Sequence, residues 1–526
     1  MVGKRGSVKA TQGIKPLMMK LSNLLDSVPV SLTKCSGDHG AVDPIISRVV
    51  EDSRTVTPGD LFVAKVGSKS TGRDFIADAV NRGAVAIVTD RPQDVPAARE
   101  TAVIGCDSPA IALGYLAQAI YNFPARDMKL MAVTGTNGKT TITYLIRSVM
   151  RNAGIACGLI GTVQLDDGKC VVESPMTTPG PVEMAALLAR MRDHGVRAVA
   201  LEASSHALSQ NRLAGLDVQV GMFSNLTGDH LDYHGSMEKY ADAKARLFEA
   251  LNPEAHAVIN AQDPYSARMI RDCRAKKIFY GIDCAADFSC TIHAMNATGM
   301  QLVIRMPDGQ TMQLNTGLVG RHNVQNILCA MAACHVAGVA WKFIISGLQS
   351  GDIVPGRLQP VVPSGLRRDE MPFAVLVDYA HTHDALENVL TAVRGFTRGK
   401  VICVFGCGGD RDATKRPKMA AVAERLADTI IVTDDNPRTE GSSVIIEHIM
   451  CGFSGDLGNR LAVIPDRASA IRRAMDLAEK GDVVLIAGKG HENYQIIGTS
   501  RYHFDDVEHA QEAVLARLGL ITNGKT

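Results

Sequence analysis

A buried strand, a glycine-bearing loop and a helix follow one another in "KLMAVTGTNGKTTITYLIRSVMRNAG", residues 129–154. This unit constrains the fold more than any other feature, because it predicts an α/β domain with its ligand at the end of a parallel strand. Gly135 and Gly138 let the backbone close around a polyphosphate, at which amide groups and the helix N-terminus point. Lys139 can reach the β- and γ-phosphates, and Thr140 can hold Mg²⁺.

The loop is shorter than the usual phosphate-binding motif, which has a glycine where Val133 stands. An ordinary glycine turn with an incidental lysine is the alternative, but the strand before the loop and the helix after it favour ATP binding. The predicted ATP-binding residues of the loop are Gly135, Thr136, Asn137, Gly138, Lys139, Thr140 and Thr141.

Strands alternate with helices along most of the chain, which predicts mainly parallel sheets. Further strands of the first α/β run are "VRAVALE", "VGMFSNL" and "AHAVIN", and "PDGQ" marks a hairpin in an antiparallel insertion. A second run carries "FAVLVDYA", "KVICVFGC", "DTIIVTDD" and "DVVLIAG". The predicted fold class is α/β with three domains: a small α/β domain, a central phosphate-loop ATPase domain and a C-terminal doubly wound, Rossmann-like domain. The predicted divisions are a disordered basic extension over 1–20 and domains over 21–125, 126–357 and 358–526.

Composition excludes several classes of protein. The formal charge of +1 over 526 residues argues against a nucleic-acid-binding surface, which shows as a basic excess. No apolar run approaches the ~20 residues that cross a bilayer, and the N-terminus lacks the apolar core of a secretory signal. Its 12 cysteines have no pairing rhythm. These features predict a cytoplasmic protein with reduced thiols that does not bind membranes.

Glu202 ends the apolar strand of "AVALEASSH", where phosphate-loop proteins place a magnesium-linked carboxylate; a solvated strand-end glutamate is the alternative. Ser205 and His206 lack the surroundings of a hydrolase nucleophile. His230 and His234 have the spacing of zinc ligands, but an H-E-x-x-H motif and a third ligand are missing. "FGCGGDRD" has Arg411 where a nicotinamide-binding loop needs its third glycine.

Lys244 breaks the apolar stripe of "MEKYADAKARLFEAL", a predicted helix over residues 237–251. Helical spacing places Lys244 between Tyr240 and Phe248 on the buried side. An unpaired ammonium is rarely left in such a position. The lysine either snorkels, with its stem on the stripe and its charge in water, or has a function.

Nine motifs occur in an order similar to that of the Mur ligase family, with a likeness that runs from about Leu21 to the C-terminus. They are "TGTNGKTT", "EASSHALSQNR", "NLTGDHLDYHG", "AKARLF", "GRHNVQN", "VDYAHT", "GDRDATKRP", "TDDNPRTE" and "AGKGHENYQ". "DDNPR" with "GKGHE" resembles the members that add meso-diaminopimelate as the third residue of the peptidoglycan precursor peptide. Gly228 and His383 depart from the family pattern, which commonly has arginine and proline there.

The resemblance implies ATP-dependent ligation of meso-diaminopimelate to UDP-MurNAc-L-Ala-D-Glu through an acyl phosphate, and so a role in cell-wall biogenesis, cell shape and division. It implies two Mg²⁺ ions, a CO₂-derived carbamate on Lys244 and a monomer. The implied catalytic residues are Lys139, Glu202, His230 and Lys244. Thr140 and Glu202 would hold one metal, and Glu202, His230 and carbamylated Lys244 the other.

The resemblance also implies the binding residues beyond the loop. The nucleotide would contact Asn323, Arg357, Asp378 and His381. The UDP-muropeptide would contact Ser53, Gly67, Ser68, Lys69, Ser70, Thr177, Thr178, Ser204, Gln210 and Arg212. Diaminopimelate would contact Arg411, Asp435, Asn436, Pro437, Arg438, Gly488 and Glu492.

Two alternatives remain open at the level of the sequence. One is a related ligase, such as a folylpolyglutamate synthetase or a lysine-adding Mur ligase. The other is a nucleotide-binding regulatory protein without turnover, which loss of Lys139, Glu202, His230 or Lys244 would favour; all four are present.

Overall fold

The computed structural model divides the chain into two units and describes residues 14–35, 42–67, 71–95, 100–351 and 354–520. The first unit contains the residues up to Gly281 together with Cys329–Gly347, and the second contains Ile282–Leu328 and the residues from Leu348 onward. The α/β fold class is confirmed. The exact bounds of the three domains stay a prediction.

The N-terminal part of the first unit is a small α/β layer. Its elements are β1 (Met19–Lys20), α1 (Leu21–Asp26), β2 (Thr33–Lys34), β3 (Ile45–Ile46), β4 (Arg48–Val50), β5 (Asp60–Val63), α2 (Ile76–Asn81), β6 (Ala86–Thr89), β7 (Ala102–Gly105) and α3 (Pro109–Ile120). The five-stranded sheet has the order β2-β7-β6-β5-β4, in which β4 to β7 are parallel and β2 is antiparallel.

The predicted disordered extension, residues 1–20, is too long, because its last residues are ordered. Residues 1–13 lie outside the described residues. Met19 and Lys20 form β1, which pairs with β3, and the Leu17 N–H donates to the carbonyl of Ile120 at 2.8 Å. These backbone hydrogen bonds order residues that the sequence predicts to be disordered, because main-chain pairing carries little sequence signal.

The larger sheet of the first unit carries the predicted phosphate loop. The elements are β8 (Lys129–Thr134), α4 (Lys139–Asn152), β9 (Cys157–Ile160), β10 (Gln164–Asp166), β11 (Val171–Glu173), α5 (Pro181–Asp193), β12 (Ala198–Glu202), α6 (Ser205–Ser209), β13 (Val218–Phe223), α7 (Leu231–His234), α8 (Met237–Glu249), β14 (His256–Asn260), α9 (Ser266–Met269) and β15 (Lys276–Ile282). Within this unit the strand order is β11-β10-β9-β12-β8-β13-β14-β15. The strands from β9 to β15 in that order are parallel, so the ends of β8 and β12 meet at one edge.

The predicted antiparallel insertion and the second sheet lie in the second unit. The insertion is β16 (Phe288–Asn296), β17 (Gly299–Arg305) and β18 (Thr311–Thr316), followed by α10 (Arg321–Val336) and α11 (Trp341–Gln349), which carry the chain back through the first unit. Successive pairs of the insertion are antiparallel. The "PDGQ" turn is confirmed by Gly309, whose φ is 82°.

The second sheet is doubly wound, as predicted. Its elements are β19 (Gln359–Pro360), β20 (Ala374–Asp378), α12 (His383–Arg394), β21 (Val401–Phe405), α13 (Lys415–Leu426), β22 (Thr429–Val432), α14 (Ser442–Met450), β23 (Leu461–Val463), α15 (Arg467–Leu477), β24 (Val483–Ala487), β25 (Tyr494–Ile497), β26 (Ser500–His503) and α16 (Asp506–Arg517). The order is β19-β20-β24-β21-β22-β23. Along β21, Cys403 packs into one core and its neighbours Ile402 and Val404 into the other, so both faces are covered.

No helix among the described residues combines the length and apolar character that a membrane span requires.

Candidate active site

The loop between β8 and α4 is held in the shape that its glycines permit. Gly135 has a φ of 148°, and a Cβ there would lie 1.9 Å from the Ser224 hydroxyl, so no other residue fits. The Thr136 N–H donates to the Asn225 carbonyl at 2.8 Å, and the Asn137 N–H donates to the Asn225 side chain at 2.9 Å. The loop is therefore fixed by the segment after β13.

The helix that follows this loop offers an anion-binding end. Gly138 precedes α4 with a φ of 89°, and Thr140 and Thr141 are buried in its first turn. The N–H groups of a first turn have no intrahelical acceptor, and the helix dipole favours negative charge there. This geometry suits a phosphate group, and phosphate binding by these residues stays a prediction.

Two lysines converge on one carbonyl of the loop. Lys139 Nζ donates to the carbonyls of Gly135 and Thr136, each at 2.8 Å. Lys244 Nζ donates to the same Gly135 oxygen at 2.8 Å. The loop and the middle of α8 thus bring two amino groups to one point.

Lys244 is buried, as the helical spacing predicts. Its side chain is 1% exposed, and Nζ lies 4.5 Å from the centre of the Tyr240 ring. Burial, and secondarily the charge of Lys139, hold the pKa of Lys244 well below its usual value. The snorkelling alternative is wrong, because the amino group does not reach water.

Glu202 is fully buried at the end of β12, directly beside the phosphate-loop strand. Its carboxylate accepts hydrogen bonds from the N–H of Thr162 at 3.0 Å and from the hydroxyl of Thr162 at 2.8 Å. The alternative of a solvated strand-end glutamate is therefore wrong. Both of these donors are neutral groups, so they do not supply a positive charge to the carboxylate.

His230 lies in the short segment before α7 in a left-handed conformation, with a φ of 53°, and its side chain is exposed. The His206 ring lies 4.9 Å from the His230 ring and 4.1 Å from the Tyr233 ring. Sequence reasoning considered His206 only as a hydrolase residue and missed this packing. Ser205 in fact pairs with His234, at 3.0 Å, so His206 and Ser205 do not form a nucleophile pair.

Among the described residues, no group of three or more His, Cys, Asp or Glu is arranged to hold a metal ion. The predicted magnesium ligands include only two residues of these types, Glu202 and His230. Magnesium binding by these residues therefore stays a prediction.

Five of the predicted muropeptide residues form one polar network next to Glu202. The Thr178 hydroxyl donates to the Glu202 carbonyl at 2.7 Å and lies 3.2 Å from the Ser204 hydroxyl. Arg212 donates to the Thr178 carbonyl at 2.8 Å and to the Gln210 side chain at 2.9 Å.

Thr177 joins this network through Thr162, whose hydroxyl lies 3.1 Å from that of Thr177. Ser53 is buried and Gly67 exposed in the N-terminal part of the unit. Ser68, Lys69 and Ser70 lie outside the described residues. The role of all these residues in muropeptide binding stays a prediction.

In the second unit, the predicted nucleotide residues Arg357, Asp378 and His381 lie near Tyr379. Asp378 accepts from the N–H groups of Leu358 and Ala380 at 2.7 and 2.9 Å, and burial raises the pKa of Asp378. The Arg357 guanidinium lies 5.5 Å from the centre of the Tyr379 ring, and the His381 ring lies 4.6 Å from it.

Asn323 is buried, and its side chain forms hydrogen bonds with residues close to it in the chain. Its amide donates to the Val319 carbonyl at 2.8 Å, and its oxygen accepts from the Asn326 amide at 2.9 Å. Contact of Asn323 with adenine stays a prediction.

The "DNPR" loop after β22 is anchored by a buried lysine that sequence reasoning missed. Lys489 Nζ lies 3.3 Å from the Asp435 carboxylate and donates to the Asn436 side-chain oxygen at 3.1 Å. The Asn436 amide in turn donates to Glu492 at 3.0 Å. Lys489 lies within the "GKGHE" motif. That motif is the sequence feature that could have identified the lysine.

Arg438 follows Pro437 in a left-handed conformation, with a φ of 54°. Its Nη1 donates to the Gly409 carbonyl at 2.9 Å, and its N–H and carbonyl bond to the β25–β26 hairpin. A Cβ on Gly408 would lie 2.8 Å from Arg438 Nη1, so that glycine makes room for the guanidinium.

Gly488, with a φ of 120°, follows β24 beside Asp435, and the exposed Arg411 follows β21 next to Gly408. The residues predicted for diaminopimelate therefore lie at one edge of the sheet. Glu492 completes this set, and burial raises its pKa.

The fold and the loop define an α/β nucleotide-binding protein with a variant phosphate loop. Three family models match the chain: "Mur ligase family, catalytic domain" over residues 45–121, "Mur ligase middle domain" over 133–334 and "Mur ligase, glutamate ligase domain" over 356–490. The chain belongs to the Mur ligase family.

Similar curated proteins are named UDP-N-acetylmuramoyl-L-alanyl-D-glutamate–2,6-diaminopimelate ligase. That of Geobacillus thermodenitrificans is 44% identical, over 95% of this chain and 100% of its own length. That of Synechococcus elongatus is 42% identical, over 95% and 99%. A solved structure of a ligase of the same name has a TM-score of 0.67 and 33% identity, over 90% of this chain and 96% of its own.

Proposed function

We propose that this chain uses ATP to join meso-diaminopimelate to UDP-N-acetylmuramoyl-L-alanyl-D-glutamate, a step of peptidoglycan precursor synthesis. The observation that carries the choice of amino acid is the "DNPR" loop, where Arg438 has one guanidinium nitrogen held by a backbone carbonyl. A guanidinium oriented in this way suits a carboxylate. The names of the similar ligases support the same substrates.

The reaction needs activation of a carboxylate, because a carboxylate and an amine do not condense in water. An oxygen of the D-glutamyl carboxylate attacks the γ-phosphorus of ATP, and ADP leaves with the bridging electron pair. The diaminopimelate nitrogen then attacks the acyl carbon, phosphate leaves, and the nitrogen loses a proton. Lys139 and the N-terminus of α4 stabilise the transferring negative charge.

The residues at the end of β8 and β12 fit magnesium. Thr140 and Glu202 supply hydroxyl and carboxylate oxygens, the donors that Mg²⁺ prefers, and Glu202 accepts hydrogen bonds from two neutral groups of Thr162. We assign Thr140 and Glu202 to one ion, and Glu202, His230 and modified Lys244 to the other. Bound Mg²⁺ neutralises polyphosphate charge and polarises the reacting oxygens.

Lys244 suits the proposed carbamate because its amine is buried and its pKa is lowered well below the usual value. The neutral nitrogen attacks the carbon of CO₂, an N–C bond forms, and one proton is released. The product is an anion, whereas the unmodified ammonium would repel a metal ion.

The binding residues predicted for the muropeptide, the nucleotide and diaminopimelate remain part of this proposal, as do the three domain bounds, the cytoplasmic location and the monomeric state. The two family departures leave it unchanged. A Cβ on Gly228 would meet nothing within 4 Å, and His383 begins α12 after the Thr382 cap.

The deciding experiment measures ATP-dependent addition of meso-diaminopimelate and of L-lysine to UDP-MurNAc-L-Ala-D-Glu. We expect a strong preference for diaminopimelate, because lysine leaves the Arg438 guanidinium without an anion. Loss of one such pair costs roughly 2–5 kcal/mol, or about 30- to several-thousand-fold in kcat/KM.

Arg438→Ala and Arg438→Lys should raise the KM for diaminopimelate far more than that for ATP. Equal wild-type kcat/KM for the two amino acids would point to a lysine-adding ligase and refute the assignment. Product formation with a folate and glutamate would favour a folylpolyglutamate synthetase. No turnover with any of these substrates would favour a nucleotide-binding regulatory protein.

A further inference from the structure

A cavity of about 170 Å³ lies in the second unit, away from the "DNPR" loop. Its wall includes residues at the start of β20 and just before β24, and the turn between β16 and β17. The "DNPR" loop follows β22 at the carboxyl ends of the parallel strands of the same sheet, whereas the cavity lies at their amino ends. This cavity, which we call the Arg368 cavity, is lined by Thr298, Val361, Arg368, Met371, Phe373 and Asp482 among others.

Arg368 brings an uncompensated positive charge to this cavity. Its Nη1 donates to the Gly317 carbonyl at 2.7 Å, but its buried Nη2 has no hydrogen-bond partner among the described residues. Burial lowers the pKa of Arg368 to about 10, so the guanidinium remains charged at neutral pH. A buried charged donor without an acceptor is costly, and native structures usually satisfy it with a partner or ligand.

The acidic side chains nearby do not neutralise Arg368. Asp369 accepts from the neighbouring Arg367 at 2.8 and 3.1 Å, and Glu370 accepts from the N–H of Arg367 at 2.7 Å. Asp482, in the cavity wall, accepts from the N–H groups of Lys400 and Glu479 at 2.7 and 2.9 Å.

The chemistry of the wall selects among anions. A guanidinium presents parallel N–H groups to a planar carboxylate. Val361, Met371 and Phe373 offer apolar contacts to the body of a ligand. The carboxylate of Asp482 disfavours a dianion, and the volume is below the ~300 Å³ of sites for drug-sized ligands.

We propose that the Arg368 cavity is a second ligand site, separate from the ligase site, that binds a small organic monocarboxylate with its carboxylate on Arg368 and its apolar body against Phe373. The site requires no substrate of the ligase reaction. It therefore stands or fails independently of the proposed function.

The test is isothermal titration calorimetry of the full chain, without nucleotide. The three ligands are benzoate, benzamide and inorganic phosphate. Benzamide keeps the shape of benzoate and removes the charge, and phosphate keeps an anion without an apolar body. We expect saturable binding of benzoate, with benzamide and phosphate at least about tenfold weaker because each lacks one of the two contacts.

Variants locate the site. Arg368→Gln should weaken benzoate at least about tenfold, while Arg367→Gln, a change at the adjacent exposed arginine, should leave its Kd unchanged. Both variants should retain ligase turnover, since neither residue belongs to the proposed catalytic site. If circular dichroism shows that Arg368→Gln is unfolded, Arg368→Lys replaces it and should weaken benzoate because the planar fork is lost.

Three results would overturn the proposal. They are no saturable benzoate binding, benzoate binding that is indifferent to change at Arg368, and phosphate or benzamide binding as tight as that of benzoate.

Discussion

Lys244 in the first unit and Lys489 in the second are equally buried and differently compensated. They are 1% and 0% exposed. Lys489 lies 3.3 Å from the carboxylate of Asp435, whereas Lys244 has no carboxylate within ion-pair distance among the described residues and donates to the carbonyl of Gly135. Burial lowers both pKa values; the next-largest influence, from Lys139, lowers that of Lys244 further, while Asp435 raises that of Lys489.

The difference shows that burial alone does not tell the role of a lysine. Lys489 is a charge paired inside a polar network, and it positions Asp435 and Asn436 of the "DNPR" loop. Lys244 is an amine without a counter-ion among the residues that the structure describes, which is costly unless the group changes its charge. This contrast supports the proposal that Lys244 is the lysine that is modified, whereas Lys489 supports the structure of the loop.

The largest expected effect is a loss of ligase activity on substitution of Lys244, which distinguishes this residue from Lys489. Lys244→Met should lower kcat by about 10³-fold or more while the chain stays folded, because a group that orders the transferring charge is lost. Lys244→Ala should lose as much and recover part of it with added short carboxylic acids, which can occupy the vacated space. The assay is ADP release with all substrates, and Lys239→Met, at an exposed residue of α8, is the control. Full activity in Lys244→Met would end the carbamate hypothesis.

Lys489→Met should instead destabilise the second unit by about 3 kcal/mol, because Asp435 loses its buried cation. It should also raise the KM for diaminopimelate more than that for ATP, since Asn436 loses a donor that orients it. Hydrogen exchange of β22 and β24 reports the stability of this region. Lys480→Met, at an exposed lysine before β24, serves as control, and unchanged protection in Lys489→Met would show that the pair adds nothing.

Lys244→Met should have a smaller and opposite effect on stability. Without CO₂ and magnesium, methionine should stabilise the first unit by about 1–2 kcal/mol at neutral pH, because it removes the cost of burying an amine, and the Gly135 carbonyl keeps Lys139 as a donor. Urea unfolding followed by Trp341, the single tryptophan of the chain, measures this difference.

The pH dependence of that gain follows from the lowered pKa of Lys244. The unfolded chain binds the proton more tightly than the folded chain, so wild-type stability rises with pH between the folded pKa and the usual value of 10.5. The advantage of Lys244→Met should therefore shrink as the pH approaches 10.5. A gain that stays constant with pH would mean that the lysine does not titrate in this way.

The two lysines also mark what the sequence could predict. Lys244 was predictable because helical periodicity fixes the side of α8 on which a residue lies. The parallel sheets and the phosphate loop were also predictable from local patterns. These patterns are the alternation of strands with helices, and a glycine-bearing loop between a strand and a helix. Lys489 follows a strand in a glycine-rich stretch without periodicity, and its partner Asp435 is 54 positions away in the chain (489 − 435). Its burial depends on long-range contacts that a single sequence does not reveal.

Backbone geometry accounts for other features that the sequence did not reveal. Arg438 was predicted as a carboxylate partner, but its left-handed backbone and its attachment to the β25–β26 hairpin depend on main-chain hydrogen bonds. Met19 and Lys20 likewise enter a strand through main-chain pairing. The side-chain chemistry of Arg438 was informative, but in neither place did the sequence reveal the main-chain pairing.

The most direct test of the central claim, that the uncompensated amine of Lys244 is held for modification, is ¹³C NMR of the full chain with ¹³C-bicarbonate and magnesium at neutral pH. A carbamate resonance should appear in wild type and in Lys489→Met, because the Asp435-paired lysine is not its source, and should vanish in Lys244→Met. Absence of the resonance from wild type, or its survival in Lys244→Met, would contradict the account.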